Sequence, residues 1–321
     1  MNRERIDLRG RDADKVSDIP KPGWRDIALR IRDEAKDDNL SLLSAGVAFF
    51  AMLSLVPALV AVVSLYGLVA DPADIEQQAR DMTRALPREA RDLLIQQLNA
   101  IVDSSDRGLG FAFIGGLVLT LWSASSAMKH LIEAVNTTYD EKDERGFVKV
   151  RGLALLMAVI ATAFVVGAVW VIAVVPRTLG DSSLGDGAEF VLKLLRWPLL
   201  FVAMVAALAL IYKVGPDRDR PKFRWVSWGA VLAAVLWVVV SIAFAIYTAN
   251  FGKYNETYGA LGAVIVMMLW LYMTAFVVLL GSEINAEIEH QTAKDTTIGP
   301  DRPMGARGGR MADEIGVSPS R

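Results

Sequence analysis

The chain has 321 residues, 53% of them hydrophobic, with 34 Lys and Arg against 36 Asp and Glu for a net charge of −2. That apolar share exceeds what a soluble domain carries and calls for a non-aqueous surrounding, while the even charge balance lacks the electropositive face that holds a nucleic-acid backbone. Cysteine is absent and histidine occurs only at His130 and His290, which excludes disulfides, thiolate chemistry and a zinc site built on Cys or several His. No cofactor is expected.

In chain order, residues 1–23 lack apolar periodicity and read as a disordered tail. Trp24, Ile27, Ile31 and Ala35 then recur at helical spacing, with Arg25, Arg30, Arg32 and Lys36 around them. This predicts an interfacial helix drawn to anionic headgroups. Six long stretches without Asp, Glu, Lys or Arg follow, and they predict spanning helices over 43–70, 108–128, 152–176, 190–212, 225–250 and 258–282. Most reach the roughly 20 residues needed to cross the hydrocarbon layer; the fourth does so by extension back to Phe190, with Lys193 and Arg196 snorkelling. The apolar residues surround these segments on all sides, unlike the striped helices of a soluble bundle. The first run follows 42 polar residues and is too long for a signal-peptide core, so it is expected to stay as an anchor.

Between the first two spans, Ile75, Ala79, Met82 and Leu86, then Pro87 followed by Ala90, Leu94, Leu98 and Ile101, predict a pair of amphipathic helices over 72–104. Pro57 predicts a kink in the first span. Gly229 and Ala233, with Ala230 and Ala234, place small residues four apart on the fifth, a pattern that lets helix backbones approach closely. Residues 291–321 read as a second disordered tail, which leaves 24–290 as the membrane domain. The expected fold is all-α and polytopic, with six transmembrane helices plus amphipathic interfacial and extracytoplasmic ones.

Lys and Arg are retained on the cytoplasmic side of short loops. Segments 1–42, 129–151, 213–224 and 283–321 hold ten, five, five and five of them. Both chain ends are therefore expected in the cytoplasm, and the 72–104 helices on the opposite face.

Polar residues gather at the expected cytoplasmic ends of two spans: Lys129, His130 and Asn136 after the second, Glu283 and Asn285 at the sixth. These five are candidates for a polar vestibule, with interfacial capping as the plainer alternative. Tyr247, Asn250, Tyr254, Asn255 and Tyr258 surround the short connection on the other face and are candidate outer-surface contacts. No charge stands in the middle of a span, which counts against an ion-coupled pump.

Four segments carry a family resemblance. They are SLLSAGVAFFAMLSLVPALVAVVSLYGLVADP from Ser41, LIEAVNTTYDEKDERGFVKVRGLALL from Leu131, YKVGPDRDRPKFRWVSWGAVLAA from Tyr212, and YNETYGALGAVIVMMLWLYMTAFVVLLGSEINAEI from Tyr254. Together, over about 25–290, they resemble the YihY/BrkB family of bacterial inner-membrane proteins. The resemblance implies six transmembrane helices, a bacterial cytoplasmic-membrane location and a link to envelope integrity through a virulence label. It also carries an old ribonuclease BN label, which the composition argues against: a metal-dependent ribonuclease needs clustered His and Asp ligands. The expected role is transport or flipping of a lipid or envelope-related substrate, with a non-transporting envelope scaffold as the alternative and enzyme activity not expected. Membrane lipids are the expected partners, with a second copy of the chain or envelope proteins as further candidates and no nucleic acid.

Overall fold

A computed structural model describes residues 9–67, 109–173, 186–250 and 260–318. The described residues are helical apart from turns and one isolated antiparallel bridge between Pro221 and Thr297. The 72–104 helices expected from sequence lie outside them.

Helix α1 covers Lys21–Asp37, α2 Leu40–Gly67, α3 Leu109–Thr138, α4 Phe147–Ala173, α5 Asp186–Val214, α6 Phe223–Asn250, α7 Ala260–Glu289 and α8 the short Arg310–Asp313. Four of these contain segments long and apolar enough to cross a membrane: Phe147–Val165, Leu194–Val214, Phe223–Ala249 and Val264–Glu289. Their outward faces carry bare apolar side chains such as Val165, Leu199, Val202, Ile242 and Ile246. In water such faces would be a liability; in lipid they are the solvated surface. Helix α2 is as apolar over Leu40–Ser54 and stays helical through Pro57, whose side chain lies outside the described set.

The long helices form a ring. Each of α2 to α6 packs on its successor in sequence, and α7 closes the circle against α2 while also touching α1, α3 and α5. One apolar cluster joins Leu40, Val47, Ala134, Val135, Ala275 and Leu279; a second joins Leu208, Ala209, Ala230, Ala233, Val277 and Val278. The small residues of α6 do what their spacing predicts. A Cβ on Gly229 would strike the Gly281 carbonyl, and one on Gly281 would meet Ala233 Cβ and the Tyr212 hydroxyl. The backbones of α6 and α7 touch there, and Asn285 bolts them together: its Oδ1 accepts from the Gly229 N–H at 2.8 Å and its Nδ2 donates to the Val226 carbonyl at 3.0 Å.

The two chain ends meet on one end of this ring, and the structure corrects their reading as disordered tails over the described residues. Ala13, Val16 and Ile19 are buried with Ile27, Trp225 and Ile288. The Ala293 N–H donates to the Arg11 carbonyl at 2.6 Å, Thr292 Oγ1 to that of Ala13 at 2.7 Å, and the Gly316 N–H to that of His290 at 2.8 Å. Arg307, buried, donates to the carbonyls of Ala293, Lys294, Arg302 and Ala312. One guanidinium thus satisfies the backbone of a segment that has no hydrophobic stripe to order it. The apolar stripe of α1 is likewise covered by protein: Trp24 and Ile31 pack on the Ile27, Trp225 and Ile288 cluster. Arg30, expected to face lipid headgroups, is buried against α7.

Candidate functional site

The polar end is organised by the last two turns of α7. That helix is apolar through Leu280, yet Ser282, Glu283, Asn285, Glu287 and Glu289 are all buried. Buried charge in a low-dielectric setting persists only when paired, and two of the three carboxylates are. Arg30 of α1 binds Glu287 through Nε, and its Nη2 reaches the Glu287 carbonyl at 3.2 Å and Gln291 Oε1 at 2.8 Å. Arg218, in the turn after α5, holds Glu289 through both terminal nitrogens at 2.8 and 2.5 Å. Burial works against the Arg218 charge, but Glu289 holds its pKa above the ordinary value. Thr296 of the C-terminal segment adds its hydroxyl to the same carboxylate.

The third carboxylate, Glu283, is 1% exposed, and its Oε2 receives no hydrogen bond. Tyr139 is fully buried nearby with its hydroxyl also unmatched, and burial pushes that hydroxyl's pKa up. The charges of Asp38, Glu287, Glu34 and Asp140 all act against ionisation of the Glu283 carboxyl. Asp140 has φ 53° and Asn39 φ 51°; both are left-handed positions, where short Asx side chains are tolerated, and they turn the chain sharply after α3 and after α1.

Beside this cluster lies an open polar cleft of about 350 Å³ lined by Asp140, Glu141, Lys142, Glu144, Asp217 and Arg310. Asn136 braces its floor: the side chain donates to the Ile132 carbonyl at 3.0 Å and accepts from the Asp217 N–H at 2.7 Å. Arg145 holds Asp143 through two nitrogens at 2.8 and 2.7 Å and reaches the Gly215 carbonyl at 2.8 Å. That hydrogen bonding keeps the Asp143 pKa below the usual carboxylate range.

The virulence factor BrkB family model matches residues 31–305. The chain belongs to that family. Among curated relatives of this BrkB-family chain, the ribonuclease-like protein YfkH of Bacillus subtilis is 29% identical over 248 residues, covering 76% of this chain and 88% of the relative. A UPF0761 membrane protein of Pseudoalteromonas translucida is 22% identical over 282 residues, covering 86% and 89%. Another UPF0761 membrane protein, from Tolumonas auensis, is 40% identical over 107 residues, a third of each chain. No solved structure matches. The chain is thus a membrane protein of the BrkB and UPF0761 group, and the membrane character read from its apolar runs agrees with these relatives.

In this BrkB-family fold the five residues expected at a vestibule go to separate places. Lys129 and His130 both turn to Glu133 on their own helix, His130 at 2.8 Å, and the His130 ring stacks on Phe50 of α2 with centroids 3.6 Å apart. Asn136 and Asn285 are internal ties. Glu283 alone faces the acidic cluster. None of the five is among the residues lining the cleft. Of the outer candidates, Tyr247 is exposed on α6 and stacks with Phe244; the Asn250 side chain, Tyr254, Asn255 and Tyr258 lie outside the described residues. The sequence reading missed Asp38, Asp140, Glu133, Arg218 and Glu289. The readable signal was three carboxylates, Glu283, Glu287 and Glu289, within two turns at the end of an apolar helix, too much charge for a plain cap.

Proposed function

We propose that this BrkB-family protein crosses the bacterial cytoplasmic membrane six times, keeps both ends in the cytoplasm, and moves a lipid or envelope-related amphiphile between leaflets. The basic loops and termini share the polar end of the ring, which supports that orientation. One observation carries the transport reading: an apolar groove of about 350 Å³ opens sideways between α2 and α7, lined by Ala45, Ala48, Ile265, Met268, Leu269 and Tyr272. The Ser41 and Tyr272 hydroxyls meet at 2.8 Å and are exposed. An acyl chain fits such a wall, and the hydroxyl pair offers hydrogen bonds to a glycerol or headgroup oxygen. The role needs no cofactor and no nucleic acid, and the ribonuclease-like name of YfkH is not carried to this chain.

The test is reconstitution in vesicles containing fluorescent phospholipid, with dithionite bleaching of the outer leaflet. Bleaching beyond half, lost when Ala48→Trp fills the groove, supports transport. Half-bleaching in all samples refutes it. A second reading, a scaffold for envelope assembly, draws on the paired Arg30, Glu287, Arg218 and Glu289 that stiffen the polar end. Half-bleaching together with an intact envelope complex recovered on the protein favours that reading.

A further inference from the structure

Arg151 lies four residues inside the apolar segment Phe147–Val165, and among the described residues no carboxylate pairs with it. Helix α4 carries Lys149 and Arg151 and no acidic residue, and the sole carboxylate of α3, Glu133, is already taken by Lys129 and His130. A charged side chain in such a segment is costly and is retained where it has a partner.

The guanidinium is nonetheless held in place. It lies over the Trp122 ring, 3.7 Å from the centroid, and its Nη2 donates to the Trp122 carbonyl at 2.9 Å and to Ser126 Oγ at 3.0 Å. Those two contacts use both Nη2 hydrogens. Nη1 donates to no protein group, and the buried Nε has no acceptor.

The surroundings of this cation are bare and apolar. Phe147 and Val148, four and three residues earlier, share the Arg151 face of α4 and are 65% and 81% exposed. Trp122 is 52% exposed, with its ring 6.5 Å from that of Phe147. An inorganic anion neutralises Arg151 but leaves this apolar wall uncovered, and an apolar chain alone leaves the charge. An amphiphile with an anionic end answers both, and a guanidinium is well matched to phosphate oxygens.

We propose that Arg151, Trp122, Phe147 and Val148 form a binding site for an acidic phospholipid, whose phosphate accepts from Arg151 Nη1 and whose acyl chains lie along Phe147 and Val148. Net negative charge decides the choice, because a zwitterionic lipid brings its own cation to the phosphate and leaves Arg151 uncompensated. The Trp122 ring holds the guanidinium by its electron-rich face and walls the site. The site shares no residue with the groove between α2 and α7 and stands whether or not that groove moves a lipid.

Native mass spectrometry of the purified protein in detergent, titrated with phosphatidylglycerol or with phosphatidylcholine of the same acyl chains, counts the lipids retained. One phosphatidylglycerol is expected to bind about tenfold more tightly than phosphatidylcholine, and Arg151→Gln to abolish that difference, as loss of a charge-assisted hydrogen bond requires. Lys149→Gln, which removes the same charge at a neighbouring exposed position, keeps the bound lipid. Equal retention of the two lipids overturns the proposal. So does a loss in Lys149→Gln as large as that in Arg151→Gln, which marks general attraction to a positive surface. Displacement of the bound phosphatidylglycerol by inorganic phosphate overturns the lipid as occupant. Where Arg151→Gln fails to fold, Val148→Glu decides: at this exposed position, three residues from Arg151, it supplies the missing acid from within the protein, and phosphatidylglycerol that still binds as tightly overturns the site.

Discussion

Arg218 and Glu289 sit 71 positions apart and bind through two parallel N–H···O contacts, with the Arg side chain at 0% exposure and the Glu at 2%. A pair this deep differs from a surface ion pair: removing one partner strands a full charge in a dry interior. Glu289→Ala is expected to lower stability by about 3–5 kcal/mol. The double variant Arg218→Met/Glu289→Leu should recover most of that loss. Thermal unfolding of the purified protein in detergent measures both, and a double variant no better than the single removes the pairing argument.

The α6 and α7 contact leaves no room for a methyl group. Gly281→Ala places a Cβ against Ala233 and Tyr212, forcing the helices apart at an expected cost of about 1–3 kcal/mol. Gly152, whose added Cβ meets nothing within 4 Å, is the control. Equal melting temperatures for Gly281→Ala and Gly152→Ala contradict the close approach.

The acidic cluster fixes the sign of the pH dependence. Asp38 ionises near 3.8 when unfolded and near 7 when folded, so between those values the folded chain holds the extra proton and stability falls as pH rises. Asp143 and Asp295 are lowered instead; their contribution is present above the ordinary carboxylate value and is lost as pH drops through their folded values. Maximum thermal stability is therefore expected on the acid side of neutrality, and Asp38→Asn should flatten the decline toward about pH 8. A melting temperature that climbs steadily from about pH 5 to about pH 8 contradicts this.

The N-terminal segment is a structural part of the polar end. Deleting residues 1–20 uncovers Ile27, Trp225 and Ile288 by removing Val16 and Ile19, side chains whose burial contributes roughly 3–6 kcal/mol together. Trypsin should cut the deleted form quickly near Lys294 and spare the intact chain there. Identical digestion patterns would show that the two ends do not depend on each other.

Much of the fold was legible because membrane helices advertise themselves residue by residue: the apolar run around Val277 and the Gly229 spacing are local signals. The polar end was not, because its order rests on partners far away in sequence. Arg30 and Glu287 are 257 positions apart, and a sequence read alone offers no means of pairing them. Arg307 looks like one more charge in a Gly-rich tail until its four carbonyl acceptors are in place. Glu283 was legible as polar and near a helix end, but its isolation inside a carboxylate cluster follows from α1 folding back along α7.

The closing of the helix ring has a consequence for biosynthesis. The wall of α2 that meets α7 waits, while α3 to α6 are made, for a neighbour far later in the chain. Until then the nascent protein sits in the bilayer as an unsealed arc, its seam shielded by lipid or by the insertion machinery. Once α7 docks, it packs extensively on both α2 and α6, and the groove lined by Ala48 and Tyr272 is the opening left along that last-made junction.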